Sequence, residues 1–159
     1  MPAASPPREL RILEQLGANP DLTQAGLAEE LGVAVGTINF VLRRLIQKGY
    51  IRVKQLERRR LRYIITPAGI AFRSKLAVDS LQYSMRLYRE TRAQAKQLIS
   101  EARQRGCRAV AIRGQDDLAE IVSLTCLEMG MEVRSGEEAA PVIAIVGTQL
   151  QWQERETTP

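Results

Sequence analysis

A short apolar run that ends in a glycine and leads into a helix-like pattern is how a dinucleotide fold presents its first strand, phosphate turn and first helix. The stretch VAIRGQDDLAEI, residues 110–121, has this form. Gly114 and Ala119 occupy the first and last positions of the G-x-G-x-x-G/A spacing, and Asp116 occupies the middle one. The middle glycine of that spacing exists so that backbone can approach a pyrophosphate. Asp116 adds a side chain and a negative charge there, and Asp117 adds another. A carboxylate at a helix N-terminus satisfies the N–H groups that a phosphate would use. A ribose-binding acid is expected about 20 residues further on, where Arg134 stands. Gly114, Asp116, Asp117 and Ala119 are therefore a candidate turn for a nucleotide-type effector, and its phosphate chemistry is largely missing.

Other reactive groups are few. The chain has no histidine, which removes Ser-His and Cys-His catalysis and any His-ligated metal site. Cys107 and Cys126 lie in mostly apolar segments without a CxxC spacing. They read as reduced structural cysteines of a cytoplasmic protein. The sequence calls for no enzyme activity and no cofactor. It has no uninterrupted apolar run of membrane-spanning length, and MPAASPPREL lacks the apolar core of a secretory signal.

Charge divides the chain. Residues 1–66 hold 11 Lys/Arg against 6 Asp/Glu, and residues 67–106 hold 8 against 3. Residues 107–159 hold 4 against 9. The first two parts suit a polyanion and the last does not.

The elements that must position these charges follow from periodicity and breakers. Residues 1–7 read as a disordered tail. Leu10, Leu13 and Leu16 recur at helical spacing from Arg8. GANPDLT breaks the pattern. A second helix is expected over about 24–31 with Thr23 as N-cap. GVAVG is a tight turn, and a third helix is expected over 35–48, ended by Gly49. Ile51 and Val53 alternate with Arg52 and Lys54, and Leu61, Tyr63 and Ile65 with Arg62 and Ile64, so both runs read as strands of a hairpin with QLERRR at its tip.

A helix that reads bases needs one apolar face to dock it and one polar face to project. With Ile38, Leu42 and Leu45 inward, Gly36, Thr37, Asn39, Phe40, Arg43 and Arg44 point outward or flank the edge. Thr37 and Asn39, near the helix start, are the candidates for base contact. Asn can bond adenine through both amide atoms, and a Phe ring can lie on a thymine methyl. Core packing is the competing reading for Phe40, and a solvated position for Asn39. Arg43, Arg44 and Lys48 suit phosphate. Arg52, Lys54, Arg58, Arg59, Arg60 and Arg62 line the hairpin, where they suit backbone or minor groove.

Three helices followed by a basic hairpin is the winged helix-turn-helix order. The stretch LTQAGLAEELGVAVGTINFVLRRLIQKGYI, residues 22–51, resembles MarR-like and related winged-helix bacterial transcriptional regulators. ITPAG, residues 65–69, resembles the family's junction between wing and fourth helix. Among the branches, the chain is most similar to the regulators associated with exopolysaccharide gene clusters. The resemblance covers residues 8 to about 100 and implies a DNA-binding regulator. Two positions depart from the pattern. Ala34 stands where a Ser or Thr often caps the recognition helix, and Gly26 where an acid would complete a capping box with Thr23.

After Pro67 a helical pattern runs to about Gly106, and close to 40 residues would span roughly 60 Å. Val78, Leu81, Met85, Tyr88, Arg92, Ala95, Ile99 and Ala102 fall on heptad a/d spacing. This stripe, Arg92 apart, reads as a dimerisation face, against the alternative of a helix packed on its own domains. RAVAIRG and PVIAIVG read as strands, MEVRS as a short strand, and 117–129 as a mostly buried helix. SGEEAAP is too short for a crossover helix between the last two strands. TQLQWQERETTP is expected to trail off, with Trp152 packed back. A segment of roughly 50 residues rarely buries enough to fold alone, so this acidic part must dock on something.

The expected architecture is α+β, with a disordered tail (1–7), a winged helix-turn-helix domain (8–66), a long dimerisation helix (67–106), a partial Rossmann-like βαβ segment (107–150) and a tail (151–159). The expected function is a homodimeric DNA-binding transcriptional regulator whose partners are double-stranded DNA and itself. A protein-binding adaptor is the alternative, and regulation by a nucleotide-type small molecule at 114–119 is a further one. A winged helix followed by a dinucleotide-like unit resembles, in order only, redox-sensing repressors that read NADH.

Overall fold

The computed structural model describes residues 6–56, 61–114, 116–134 and 141–153. Its elements are α1 (Arg8–Ala18), α2 (Gln24–Leu31), α3 (Val35–Gln47), β1 (Ile51–Gln55), β2 (Leu61–Ile65) and α4 (Pro67–Gln104). They continue with β3 (Ala109–Arg113), α5 (Asp117–Glu128), β4 (Glu132–Val133), β5 (Val142–Val146) and β6 (Gln149–Gln153). The fold is mixed α+β: a winged helix, one long helix, and a small sheet with α5. Contacts divide the chain into two compact units, one over Pro6–Gln82 and one starting at Tyr83, so the division falls inside α4. Among the described residues no single helix is long and apolar enough to cross a membrane.

In the first unit, α1 buries Leu10, Ile12, Leu13 and Leu16. The Thr23 hydroxyl accepts from Gly26 N–H at 3.0 Å and caps α2. Gly32, at φ 63°, ends α2 in the left-handed region. The chain turns through 112° between α2 and α3, inside the range of a helix-turn-helix pair. Ala34 gives α3 no side-chain cap. Ile38, Val41, Leu42 and Leu45 seat α3 in the core, and each such side chain stabilises by about 1.5–3 kcal/mol when fully buried. The hairpin pairs Ile51 with Ile65 and Val53 with Tyr63. Ile51 and Tyr63 are buried, whereas Val53 and Leu61 are exposed, so the hairpin runs out past the core. The Thr66 hydroxyl lies 2.6 Å from Gly49 O and accepts from Gly69 N–H at 3.1 Å, which joins the end of the wing to the start of α4. The Tyr50 and Phe72 rings stack with centroids 4.3 Å apart.

In the second unit the strand order is β4-β3-β5-β6. β4, β3 and β5 are parallel and β6 is antiparallel to β5. Side chains alternate across a sheet, and the register places Ile112 beside Ile143, Ile143 opposite Trp152 and Ile145 opposite Leu150. This face packs with Ala95, Ile99 and Ala102 of α4 and Val122 and Cys126 of α5 into one core.

Three expectations are corrected here. Ala95, Ile99 and Ala102 are not a free dimerisation face, because the chain's own sheet and α5 cover them. Only Val78, Leu81, Met85 and Tyr88 of that stripe are exposed. Second, α5 is not mostly buried: Leu124 and Leu127 face solvent, because one sheet face and α4 can cover only one side of it. Third, residues 149–153 form a strand instead of trailing off. Gly147, at φ 65°, makes the tight turn from β5. Gln94 accepts from Leu150 N–H at 2.8 Å, and Trp152 Nε1–H donates to Glu101 at 3.1 Å. That bond, with one from Gln97, holds the Glu101 carboxyl below the usual carboxylate range. The stretch SGEEAAP lies outside the described residues except for its final proline.

Both cysteines are free thiols, and burial pushes the Cys126 thiol up to about 11. The folded state holds that proton more tightly than an exposed thiol at 9.0 does. Its contribution to stability is complete below the unfolded value and is lost as pH rises toward the folded one. Alkylation of the native protein at pH 8 is expected to modify half-buried Cys107 and spare Cys126, read by mass spectrometry. Equal labelling of both would contradict the buried position of Cys126.

Candidate nucleic-acid interface

The apolar face of α3 is used up by the core, so the opposite face must project. Gly36, Phe40 and Arg43 lie on it at helical spacing, with Arg44 and Lys48 beside them, all exposed. Phe40 is 62% exposed, which rules out the core-packing reading. A ring so placed costs burial energy in the isolated chain and is available to a partner. A Cβ built on Gly36 meets no atom within 4 Å. The packing of the fold therefore does not require glycine there, and Gly36→Ala is expected to stabilise the chain by about 0.4–1 kcal/mol. A lower urea midpoint for this variant would refute that.

Thr37 and Asn39 sit half-buried at the edge of this face. Asn39 Nδ2–H donates to Gln24 Oε1 at 2.9 Å, and Gln24 Nε2–H donates to the Tyr63 hydroxyl at 3.2 Å. This chain of side chains ties α3 to α2 and to the wing strand β2. The solvated reading of Asn39 therefore does not hold. Sequence reasoning missed Gln24 and Tyr63 as members of the site. A glutamine at the start of a helix and a tyrosine on the inner face of a strand carry no pattern that links them.

On the wing, Arg52 and Lys54 are exposed along β1. Lys54 stands opposite Arg62 on β2, an arrangement of like charges that destabilises a hairpin. Asp21 offsets it. Its carboxylate takes Arg62 in a two-pronged pair, Nε to Oδ1 at 2.7 Å and Nη2 to Oδ2 at 2.8 Å. That hydrogen-bonded partner also raises the Arg62 pKa above its ordinary value. Arg62 thus fastens the wing to the loop before α2. Pro20 O, in the same loop, accepts from Tyr63 N–H at 3.0 Å. Arg58, Arg59 and Arg60 lie outside the described residues.

The turn at 114–119 lies in the other unit. Asp116 accepts from Ala119 N–H at 3.2 Å and is the N-cap of α5. A Cβ on Gly114 would stand 2.8 Å from Ile145 Cδ1. The glycine is thus explained by the neighbouring strand, with no pyrophosphate needed. The cavity beside it, about 420 Å³, is lined by Asp116, Asp117 and Glu120. Three carboxylates repel a phosphate.

Residues 7–52 match a winged helix-turn-helix DNA-binding family. This part of the chain is a winged helix-turn-helix DNA-binding domain. Three solved structures resemble the chain over 62% of its length, each with a TM-score of 0.45. One is the YusO protein from Bacillus subtilis, 20% identical and covered over 74% of its own chain. Another is the MarR family transcription regulator SP03579, 24% identical and covered over 68%. The third is the MarR family protein Rv2887 of Mycobacterium tuberculosis in complex with p-aminosalicylic acid, 26% identical and covered over 77%. No curated protein matches the chain. Within the winged-helix domain, the matched residues include all of α1, α2 and α3 and the start of β1.

Proposed function

We propose that the chain is a DNA-binding transcriptional regulator of the MarR-like type that acts as a homodimer. The observation that carries this is the outward face of α3, where Gly36, Phe40, Arg43 and Arg44 project from a matched winged-helix DNA-binding domain. Residues 35–48 enter the major groove. The basic wing, 52–62, lies along backbone or minor groove through Arg52, Lys54 and the arginines at 58–60. Phe40 meets a thymine methyl, and Asn39 meets a base edge. With Nδ2 engaged by Gln24, Asn39 keeps its oxygen and one amide proton for that contact. Two copies present two α3 helices to successive major grooves, about one helical turn apart. The self-contact uses the exposed part of the α4 stripe, Val78, Leu81, Met85 and Tyr88.

Gln24→Ala is expected to leave the fold in place and to reduce discrimination between a specific site and random DNA roughly tenfold, within the usual value of one base contact. Unchanged discrimination in a competition assay would remove Gln24 and Asn39 from the readout. The decisive test of the function is fluorescence anisotropy with genomic fragments at moderate salt. Tighter binding to a subset of fragments than to random duplex supports a regulator. Binding no tighter than to random DNA favours the adaptor, whose basic face would meet an acidic protein.

A further inference from the structure

The second unit presents two helix faces of opposite charge. On α5, Leu124 and Leu127 are 52% and 64% exposed. A 100° step per residue places Asp117, Glu120 and Glu128 on the same side, away from buried Leu118, Val122 and Cys126. That face has three acids and no base. On α4, Met85 and Tyr88 are exposed, with exposed Arg86 and Arg89 alongside them. Glu90 lies away from Met85 and Tyr88, one turn on from Arg86. Each face therefore offers apolar area with the charge that the other lacks. They meet at one edge, where Arg92 of α4 pairs with Glu128 of α5. Lying side by side and both open to solvent, they cannot cover each other within one chain.

We propose that a second copy of this chain covers them reciprocally, with α5 of each protomer seated on the Met85–Arg89 face of α4 of the other. A two-fold axis near the Arg92–Glu128 junction brings both contacts together at once, since in such an interface each residue pair occurs twice. Leucines meet Met85 and Tyr88 in the centre, and Glu120 meets the arginines at the rim. The charge balance supports a self-complementary partner: residues 67–106 are basic and residues 107–159 acidic in the same chain. The proposal rests on the homodimer reading and deepens it: α5 of the second copy is what covers Met85 and Tyr88 of the exposed α4 stripe.

Sedimentation equilibrium of the full chain tests it. The double variant Leu124→Asp/Leu127→Asp is expected to raise the dimer Kd at least about 100-fold. Glu120→Arg alone is expected to raise it about tenfold, and adding Arg89→Glu to restore it to within about threefold of the parent. If the leucine variant melts earlier than the parent, the Glu120→Arg and Arg89→Glu pair decides alone, because both side chains are exposed. A leucine variant that dimerises like the parent, beside a Met85→Asp variant that does not, overturns the exchange and leaves a homodimer through α4. A parent chain that sediments as a monomer at tens of micromolar overturns the homodimer itself. Charge variants without effect or without rescue also overturn the exchange.

Discussion

Replacing Arg43 and Arg44 together by alanine is expected to weaken binding to every DNA duplex, specific or random, on the order of 100-fold at moderate salt. Hydrogen bonds to charged groups contribute about 1.5 kcal/mol or more each, and two of them amount to roughly that factor. The loss is sequence-independent because phosphates are the same everywhere. It also has a signature that a folding defect lacks. Each phosphate contact adds about 0.9 to the slope of log K against log salt, so the double variant should lower the slope by about 2. Both side chains are exposed on α3, and alanine is at least as good a helix former as arginine, so thermal stability should stay within about 0.5 kcal/mol. Phe40→Ala makes the contrast. It should leave the slope unchanged and reduce only the preference for the specific site. A double variant with an unchanged slope would mean that α3 does not lie against DNA, and the basic face would then belong to a protein partner.

Most of the winged helix was legible because its pieces are local. The spacing of Leu10, Leu13 and Leu16, the Thr23 cap, the glycines at 32 and 49, and the alternation around Tyr63 each follow from nearby residues. What the sequence hid depends on distant partners. Arg62 is one more cation of a basic hairpin until Asp21, far from it in sequence, claims its guanidinium. The heptad stripe of α4 is one pattern in sequence but has two fates. Met85 and Tyr88 stay exposed while Ala95, Ile99 and Ala102 pass into the core under β3 and β5. A continuous a/d pattern cannot say whether a partner helix or the chain's own sheet covers it. The QLQWQ strand was missed because a five-residue alternation after a Gly-Thr turn is a weak pattern in a polar ending. Its pairing with β5 and its bonds to Gln94 and Glu101 are long-range.

The other large effect concerns glycines, whose costs differ for separate physical reasons. Gly69→Ala is expected to be the most damaging, about 3 kcal/mol or more, at the upper end of overpacking costs. A Cβ there would lie 2.1 Å from Tyr50 O and 2.8 Å from Ile65 Cγ2. The obstacle is backbone and cannot swing aside as a side-chain tip would. Tyr50 O is already fixed, since it accepts from Thr66 N–H at 3.0 Å, and the Tyr50 ring is stacked on Phe72. Making room means pulling the first turn of α4 away from the end of α3 and from both wing strands. Gly49→Ala meets no atom but forces alanine to φ 73°, a conformational cost of about 1–2 kcal/mol. Gly36→Ala meets neither obstacle and should be stabilising. For a chain of this size each kcal/mol moves the melting midpoint by about 2–4 °C. The expected order is thus a small rise for Gly36→Ala, a fall of a few degrees for Gly49→Ala, and a fall of about 6–12 °C for Gly69→Ala. A Gly69→Ala midpoint within about 2 °C of the parent would mean that α4 does not seat on the Tyr50 carbonyl. The junction that holds the wing beside α3 would then have to lie elsewhere.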